Sequence, residues 1–175
     1  ISTGLVGSEM CIRDRLKTLT DIEWHMIGPI QSNKTKLVAE HFDWVQSVDR
    51  LKIAKRLNEQ RPADMPPLNV CIQLNLEQEA TKSGILPAEL PDIVEAISGM
   101  PNLRLRGLMA IPAANVSESQ QCDTLGQLHA LYAQLQATTE GIDTLSVGMS
   151  NDMALAIAHG STMVRIGTAI FGSRS

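Results

Sequence analysis

The sequence predicts an α/β protein built on a parallel sheet, either a doubly wound sheet or a (β/α)8 barrel. Short apolar runs typical of strands alternate along the chain with segments of helical periodicity. The clearest strand, residues 68–75, is an almost continuous apolar run of the kind that is buried on both faces. Glycine and proline punctuate most of the boundaries between these segments.

The same patterns predict the individual elements. The expected strands cover residues 24–27, 43–48, 68–75, 104–111, 143–147 and 163–166. The expected helices have apolar faces formed, in chain order, by Leu37, Val38 and Phe42; by Ile53, Ala54 and Leu57; by Leu90, Ile93, Val94 and Ile97; by Leu125, Leu128, Leu131 and Leu135; and by Met153, Ala154, Ile157 and Ala158. The expected N-caps are Ser32, Asp49, Ser117 in a capping box with Gln120, and Ser150 or Asn151.

Composition restricts the class of protein. The chain has 175 residues, of which 43% are hydrophobic, and these numbers allow one domain with a substantial core. A formal net charge of −4 argues against a general nucleic-acid binder, and no apolar run is long enough for a transmembrane helix. The three cysteines have no metal-ligand spacing and indicate reduced thiols in the cytoplasm.

Residues 1–15 do not fit the pattern that follows. They show no period, and the stretch GLVGSEMCIRDR resembles a translated sequencing adapter. We therefore expect a non-native or disordered segment here, followed by a single domain over residues 21–175.

The last third of the chain contains two similar turns. Ser150 follows one predicted strand, and Gly167 and Thr168 follow the next. In a parallel α/β fold such turns lie side by side at the carboxyl edge of the sheet. Backbone N–H groups and hydroxyls that converge in this way bind anions, so we expect a phosphate site. A helix cap at Ser150 is compatible with this role.

A barrel accounts for these turns because its phosphate site lies on the loops after strands seven and eight. The six predicted strands would then be the last six of eight. A complete barrel needs about 250 residues, so the first two βα units are expected to be missing. The chain has neither a G-x-G-x-x-G motif nor a Walker lysine motif, which disfavours nucleotide binding.

Five segments in order carry a family resemblance. They are WHMIGPIQSNK (24–34), LNVCIQLNLEQEATKSGI (68–85), LRLRGLMAIP (103–112), LSVGMSNDMALAI (145–157) and GSTMVRIGTAIFG (160–172). Together they resemble the pyridoxal phosphate homeostasis family, whose members are single-domain relatives of the alanine racemase N-terminal barrel. The resemblance implies an incomplete (β/α)8 TIM-type barrel and an intracellular protein that binds pyridoxal 5′-phosphate without catalysis.

The resemblance also implies roles for individual residues. Ser150, Gly167 and Thr168 would hold the phosphate, and Arg165 would point toward the pyridine nitrogen. Met149 and His25 would line the pocket. A structural ion pair of Arg165 is the alternative for that residue, and a core histidine is the alternative for His25.

One departure from the family concerns lysine. The family attaches the cofactor through a lysine at the end of its first barrel strand, and that segment does not occur here. The lysines present, none of which matches that context, are Lys17, Lys34, Lys36, Lys52, Lys55 and Lys82. The expected binding is therefore weak and non-covalent.

Three functions follow in order of preference. The first is a non-catalytic, cytoplasmic protein of pyridoxal phosphate homeostasis, monomeric in its full-length parent and without nucleic-acid or membrane partners. The second is a pyridoxal phosphate-dependent racemase-type enzyme, which would need a second base on the opposite face of the substrate; the one tyrosine, Tyr132, lies within a predicted helix. The third, a phosphate-ester lyase or isomerase, lacks an evident acid–base pair near the two turns.

Overall fold

One parallel sheet organises the residues that the computed structural model describes, which are 12–16, 18–77, 83–113 and 116–172. Its strands are β1 (His25–Met26), β2 (Trp44–Val48), β3 (Leu68–Leu74), β4 (Leu103–Ala110), β5 (Thr144–Met149) and β6 (Met163–Arg165). Each strand pairs in parallel with the next one along the chain, in the order β1-β2-β3-β4-β5-β6. A doubly wound sheet reverses its strand order partway, whereas a barrel does not, so this is an incomplete (β/α)8 barrel.

Helices connect the strands on the outer face. They are α1 (Thr35–His41), α2 (Leu51–Gln60), α3 (Leu90–Ser98), α4 (Glu118–Thr138), α5 (Met153–Ala158) and α6 (Thr168–Phe171), and a 3-10 turn (Pro87–Glu89) leads into α3. Residues 12–16 are also helical. Residues 1–11 lie outside the described residues, so the non-native character of 1–15 stays a prediction.

The main core lies between the sheet and its helices. Alternate residues of the central strand β3, Leu68, Val70, Ile72 and Leu74, point into it and are at most 3% exposed. The predicted apolar faces of α2, α3 and α4 contribute Leu57, Ile97 and Leu128 to the same cluster. The predicted alternation and helical periods are therefore confirmed in this part of the chain.

A second, smaller cluster lies on the inner face of the sheet, where a barrel has its interior. Trp44, Cys71 and Met109 come from β2, β3 and β4, and Met163 from β6 packs against them. The prediction that Cys71 is a small buried hydrophobe is confirmed, since its side chain is 0% exposed. Burial raises the pKa of this thiol to about 12.

Three of the predicted N-caps are wrong, and one is confirmed. The first residue outside α1 is Lys34 rather than Ser32, because residues 31–34 form a turn closed by the N–H of Lys34 on the carbonyl of Gln31. Arg50 precedes α2, and the predicted cap Asp49 is paired with the Arg50 guanidinium instead. At α4, Ser117 accepts from the N–H of Gln120, as the capping box requires.

The third error concerns α5. Asp152, not Ser150 or Asn151, precedes this helix, and the carboxylate of Asp152 accepts from the N–H of Met149. The predicted apolar face is also exposed: Ile157 is 54% and Met153 37% accessible. The buried residue is Ala156, because this side of the helix packs against β5.

The sheet ends at two strands that each have one neighbour among the described residues, β1 and β6. Beside β6, the short helix α6 exposes Ile170 (68%) and Phe171 (85%). The open edges agree with the predicted incomplete barrel, and they leave backbone groups of β1 and β6 without a strand partner on one side in the described part of the chain. None of the helices in the described ranges has both the length and the apolar composition needed to cross a membrane.

Candidate functional site

The two polar turns predicted to meet are in contact at the carboxyl edge of the sheet. Ser150 directly follows β5, and Gly167 directly precedes α6. The Ser150 hydroxyl oxygen accepts a hydrogen bond from the backbone N–H of Ala169, with 3.4 Å between the two atoms. Ser150, Gly167 and Thr168 therefore belong to one small surface, built from two consecutive βα connections.

The donors of this surface suit an anion. Ile170 and Phe171 donate to the carbonyl of Gly167, but the N–H groups of Gly167 and Thr168 have no acceptor among the described residues. A Cβ added at Gly167 would meet nothing within 4 Å, so the space above this turn is open. Free N–H groups beside a serine hydroxyl and in front of open space fit a phosphate group.

A glycine before the first turn is required by the packing. Gly148 has a φ of +99°, a backbone conformation in which side chains are strained. A Cβ at this position would lie 2.6 Å from the Cβ of Ala156, far inside contact distance. Gly148 thus lets α5 approach β5 closely, and this approach fixes the position of Ser150 two residues later.

Arg165 lies on the inner side of β6, beneath the two turns. One terminal nitrogen donates to the carbonyl and to the hydroxyl of Ser146, at 2.8 and 2.6 Å. The other donates to the carbonyl of Ala110 at 2.9 Å. These acceptors are neutral, so the ion pair considered as an alternative is not found among the described residues. Burial lowers the pKa of the guanidinium, which nevertheless stays charged.

The remaining two predicted site residues are placed differently. Met149 pairs in register with Arg165 and is 47% exposed, so it flanks the turns. His25 lies on β1, across the inner face, with its ring stacked on Trp44 at a centroid distance of 5.1 Å. Among the described residues, His25 is linked to Arg165 through two other side chains. Burial lowers the pKa of its imidazole.

Two residues that the sequence analysis did not select make this link. Gln46 and Ser146 are 2% and 0% exposed, although both are polar and both lie on strands. Gln46 contacts His25, and Ser146 contacts Arg165. Each of them interrupts an apolar run of the sequence, and this interruption could have identified both as candidate site residues. Only the sheet shows that they touch.

A charged cluster occupies the inner face at the other edge of the sheet. Arg106 forms a two-bond ion pair with Asp143 and donates to Asn69. Its guanidinium carbon lies 4.6 Å from the ring centroid of Trp44, as in a cation–π contact. The hydrogen bonds from Arg106 lower the pKa of Asp143. This cluster lies at the amino-terminal end of the inner face, at the end of the sheet opposite the two turns.

A cavity of about 260 Å³ opens at the carboxyl edge of the sheet. Residues at the carboxyl ends of β1, β3 and β4 line it, among them Ile27, Leu76, Ala110, Ile111 and Pro112. Ala110 also accepts from Arg165, so the cavity and the guanidinium share one strand end. The lining is mainly apolar, which suits the flat face of an organic ring.

Three of the described lysines and the tyrosine lie away from this surface. Lys36 pairs with Glu40 along α1, and Lys52 and Lys55 are exposed on α2. Lys17 and Lys82 lie outside the described residues. Tyr132 is buried in the outer core, where its hydroxyl contacts Gln136 of the same helix.

Comparison with known proteins agrees with this geometry. The family model for the alanine racemase N-terminal domain matches residues 15–175. A pyridoxal phosphate homeostasis protein of Escherichia coli is 58% identical over 156 residues, which are 89% of this chain and 67% of the relative. A protein of the same name from Pasteurella multocida is 61% identical over 155 residues, 87% of this chain and 66% of its own length. The chain thus spans about two thirds of these relatives.

Solved structures show the same fold. PipY of Synechococcus elongatus with PLP bound superposes with a TM-score of 0.87 at 32% identity, covering 95% of this chain and 78% of PipY. An alanine racemase of Clostridium difficile in complex with cycloserine has a TM-score of 0.75 at 15% identity, covering 97% of this chain and 46% of the racemase, and so shares the fold alone. By its sequence, its strand order and these matches, the chain belongs to the pyridoxal phosphate homeostasis family, whose domain is that of the alanine racemase N-terminus.

Proposed function

We propose that this protein binds pyridoxal 5′-phosphate and takes part in its homeostasis, without catalysing a reaction of its own. The observation that carries the proposal is the contact between the two turns, where the Ser150 hydroxyl lies 3.4 Å from the nitrogen of Ala169. Ser150, Gly167 and Thr168 would hold the phosphate through hydroxyls and N–H groups. The names of the homeostasis relatives and the bound PLP of PipY support the same ligand.

Arg165, Met149 and His25 complete the proposed cofactor site. When bound, pyridoxal phosphate supplies an aldehyde and an electron-withdrawing pyridine ring. Arg165 is a fixed positive charge beneath the phosphate turns, and such a charge disfavours a second proton on a nearby ring nitrogen. An unprotonated ring is a weak electron sink, which suits a carrier more than a transaminase. Met149 would cover one side of the ring, and His25 would act through the side chains between it and Arg165.

The proposal places the protein in the cytoplasm, with a full-length parent that is monomeric and has no nucleic-acid partner. The net charge of −4 supports the absence of a nucleic-acid partner, and the unpaired, buried Cys71 supports a reducing compartment. A racemase is the second candidate, because the family model that matches residues 15–175 is that of the alanine racemase N-terminal domain. It is disfavoured by the burial of Tyr132 in the outer core, away from the carboxyl edge of the sheet.

A binding titration tests the proposal. Equilibrium dialysis of the protein against pyridoxal 5′-phosphate should give saturable binding that inorganic phosphate competes away. Pyridoxal without its phosphate should bind at least about tenfold more weakly, because charge-assisted hydrogen bonds to the phosphate are worth about 1.5–3 kcal/mol. Equal affinities for the two compounds would show that the two turns do not bind the phosphate.

Two further measurements separate the alternatives. After borohydride treatment in the presence of the cofactor, peptide mass spectrometry should show no pyridoxyl adduct on any of the lysines that the structure describes, which are Lys34, Lys36, Lys52 and Lys55. Alanine incubated with protein and cofactor should keep its chirality. Racemisation faster than that caused by the cofactor without protein would establish a racemase and overturn the non-catalytic function.

A further inference from the structure

A chain of buried hydrogen bonds crosses the inner face of the sheet from β6 to β1. It begins at Arg165, passes through Ser146 and Gln46, and ends at His25. Ser146 and Gln46 lie 100 positions apart in the sequence, and each is almost completely buried. Burying a polar side chain costs free energy unless each of its groups is hydrogen-bonded. A continuous chain of buried, paired side chains fixes the orientation of each member, and this orientation can serve a function.

The direction of each bond is determined by chemistry. Gln46 Nε2 lies 3.1 Å from the thioether sulfur of Met163, which can only accept, so the amide nitrogen faces Met163 and His25. An amide nitrogen can only donate, and therefore His25 Nδ1, 2.9 Å away, accepts and carries no proton. The Gln46 oxygen then accepts the single proton of the Ser146 hydroxyl, at 2.5 Å.

The orientation of Gln46 decides what Ser146 offers to Arg165. Because the hydroxyl proton of Ser146 is directed to Gln46, the oxygen of Ser146 presents only lone pairs to the guanidinium, 2.6 Å away. The Ser146 and Ala110 carbonyls hold the same guanidinium from other directions. Three neutral acceptors thus fix a planar cation without neutralising its charge.

We propose that Gln46 and Ser146 are positioning residues, which orient the Arg165 guanidinium toward the cofactor ring and keep His25 uncharged on the opposite side. The inference rests on the proposed function for the identity of the ring, but the hydrogen-bonded chain itself can be tested without ligand. It gives Gln46 a role in selecting a neutral pyridine, which it would exert through the guanidinium of Arg165.

The surroundings of His25 define what a change at Gln46 would do. Burial lowers the pKa of the imidazole, while Glu23 and Asp43 act in the opposite direction. Arg106 lies on the far side of the stacked Trp44 ring, and Arg165 is reached through Gln46 and Ser146. A carboxylate in place of the Gln46 amide would remove the donor to Nδ1 and place an acceptor there instead.

The first test uses the unliganded protein and NMR. In nitrogen-15-labelled protein, the His25 ring should show an unprotonated Nδ1 and the Arg165 guanidinium should show resolved, slowly exchanging N–H signals. Gln46→Glu should raise the pKa of His25, because the new carboxylate favours the imidazolium. Gln46→Met should broaden the Arg165 signals, since Ser146 can then turn its proton toward the guanidinium.

The second test uses two ligands. Gln46→Met should weaken pyridoxal 5′-phosphate binding by about tenfold, the loss expected for a displaced charged hydrogen bond, and should leave inorganic phosphate binding within about twofold. Ser146→Ala, which removes only a hydroxyl, should likewise weaken pyridoxal 5′-phosphate binding and leave inorganic phosphate binding unchanged. It replaces Gln46→Met in the test if that variant does not fold. The two changes together should cost little more than either alone, because both interrupt one chain.

Gln73→Met is the matched control. Gln73 is another buried glutamine, one strand away on β3, where its amide donates to the Ser83 carbonyl. It lines the cavity at the carboxyl edge, so it is the control for the NMR signals of the unliganded protein and not for ligand binding. This variant should leave the His25 and Arg165 signals unchanged. If Gln46→Met resembles Gln73→Met in these signals, or if it weakens both ligands equally, the positioning role is wrong. If the wild type binds no pyridoxal phosphate but its Arg165 signals respond as expected, the proposed function fails and the hydrogen-bonded chain stands.

Discussion

The side chains of Gln46 and Ser146, from strands at opposite parts of the sequence, are hydrogen-bonded at 2.5 Å inside the sheet. Ser146 in turn accepts from Arg165, which lies directly below the two turns proposed to hold a phosphate. In the proposed cofactor site, the turns would bind the anion and the guanidinium would face an uncharged ring. Substitutions at the turns and substitutions around the guanidinium should therefore affect the binding of different parts of the cofactor.

Ser150→Ala should weaken pyridoxal 5′-phosphate binding by about tenfold, because a hydroxyl bond to a charged group is worth about 1.5–3 kcal/mol. It should weaken inorganic phosphate by a similar factor, in contrast to changes at Gln46. Equilibrium dialysis with both ligands measures the effect. Ser98→Ala is the control, since Ser98 is exposed on α3 and its hydroxyl donates to the Val94 carbonyl. Equal affinities for the two variants would exclude Ser150 from the site.

Gly148→Ala should destabilise the protein by about 2–4 kcal/mol, because the new Cβ both collides with Ala156 and strains a backbone with positive φ. Urea denaturation followed by circular dichroism gives the change in unfolding free energy. Gly126→Ala is the matched control: Gly126 lies within α4, and a Cβ there meets nothing within 4 Å. That variant should be more stable by about 0.5–1 kcal/mol through helix propensity. A neutral Gly148→Ala would contradict the close approach of α5 to β5.

The ion pair of Arg106 and Asp143 should make stability depend on pH in the acid range. The hydrogen bonds from Arg106 lower the pKa of Asp143 below the ordinary carboxyl value of 3.8, so the folded protein binds this proton less readily than the unfolded chain. The contribution is therefore complete above that ordinary value and is lost as the pH falls through the lowered one. Urea denaturation of the wild type and Asp143→Asn from pH 6 to pH 2 measures it.

In that series, the difference in unfolding free energy between wild type and Asp143→Asn should shrink as the pH falls. The variant lacks the titrating group, so its own stability should change less over the same interval. A difference that stays constant with pH would show that the Asp143 charge contributes nothing, and that only the shape of the side chain matters.

Cys71 should resist thiol reagents as long as the protein is folded. Its side chain is 0% exposed and its pKa is raised to about 12, so almost no thiolate is present at neutral pH. Cys122, on α4, is partly exposed and should react before Cys71. Mass spectrometry after a timed pulse of iodoacetamide measures both sites. Labelling of Cys71 at the rate of Cys122 would show that the inner cluster opens readily.

The open edges of the sheet should favour self-association. β1 and β6 each have one strand neighbour among the described residues, and Ile170 and Phe171 are exposed beside β6. The average molecular mass measured by light scattering should rise with protein concentration. Phe171→Ser should reduce this rise. Leu86→Ser, at a 40% exposed residue away from this edge, is the control and should leave the scattering unchanged. A concentration-independent monomer with a sharp, reversible thermal transition would contradict this prediction.

The sequence by itself determined the alternation of strands and helices, the six-strand count and the pairing of Ser150 with Gly167 and Thr168, because each depends on local pattern and on the general geometry of parallel sheets. It did not determine which side of α5 is buried. That choice depends on the contact between Gly148 and Ala156, and periodicity alone does not distinguish a face that packs against a strand from one beside an open edge.

Only the tertiary structure decided the surroundings of Arg165. Gln46 and Ser146 are ordinary polar residues in two separate strands, and their importance arises because the curvature of the sheet brings their side chains together. Hydrogen bonds between residues far apart in sequence depend on register and on side-chain direction, which no local pattern contains. The meeting of the two turns could therefore be predicted from the sequence, whereas the buried residues that hold the arginine could not.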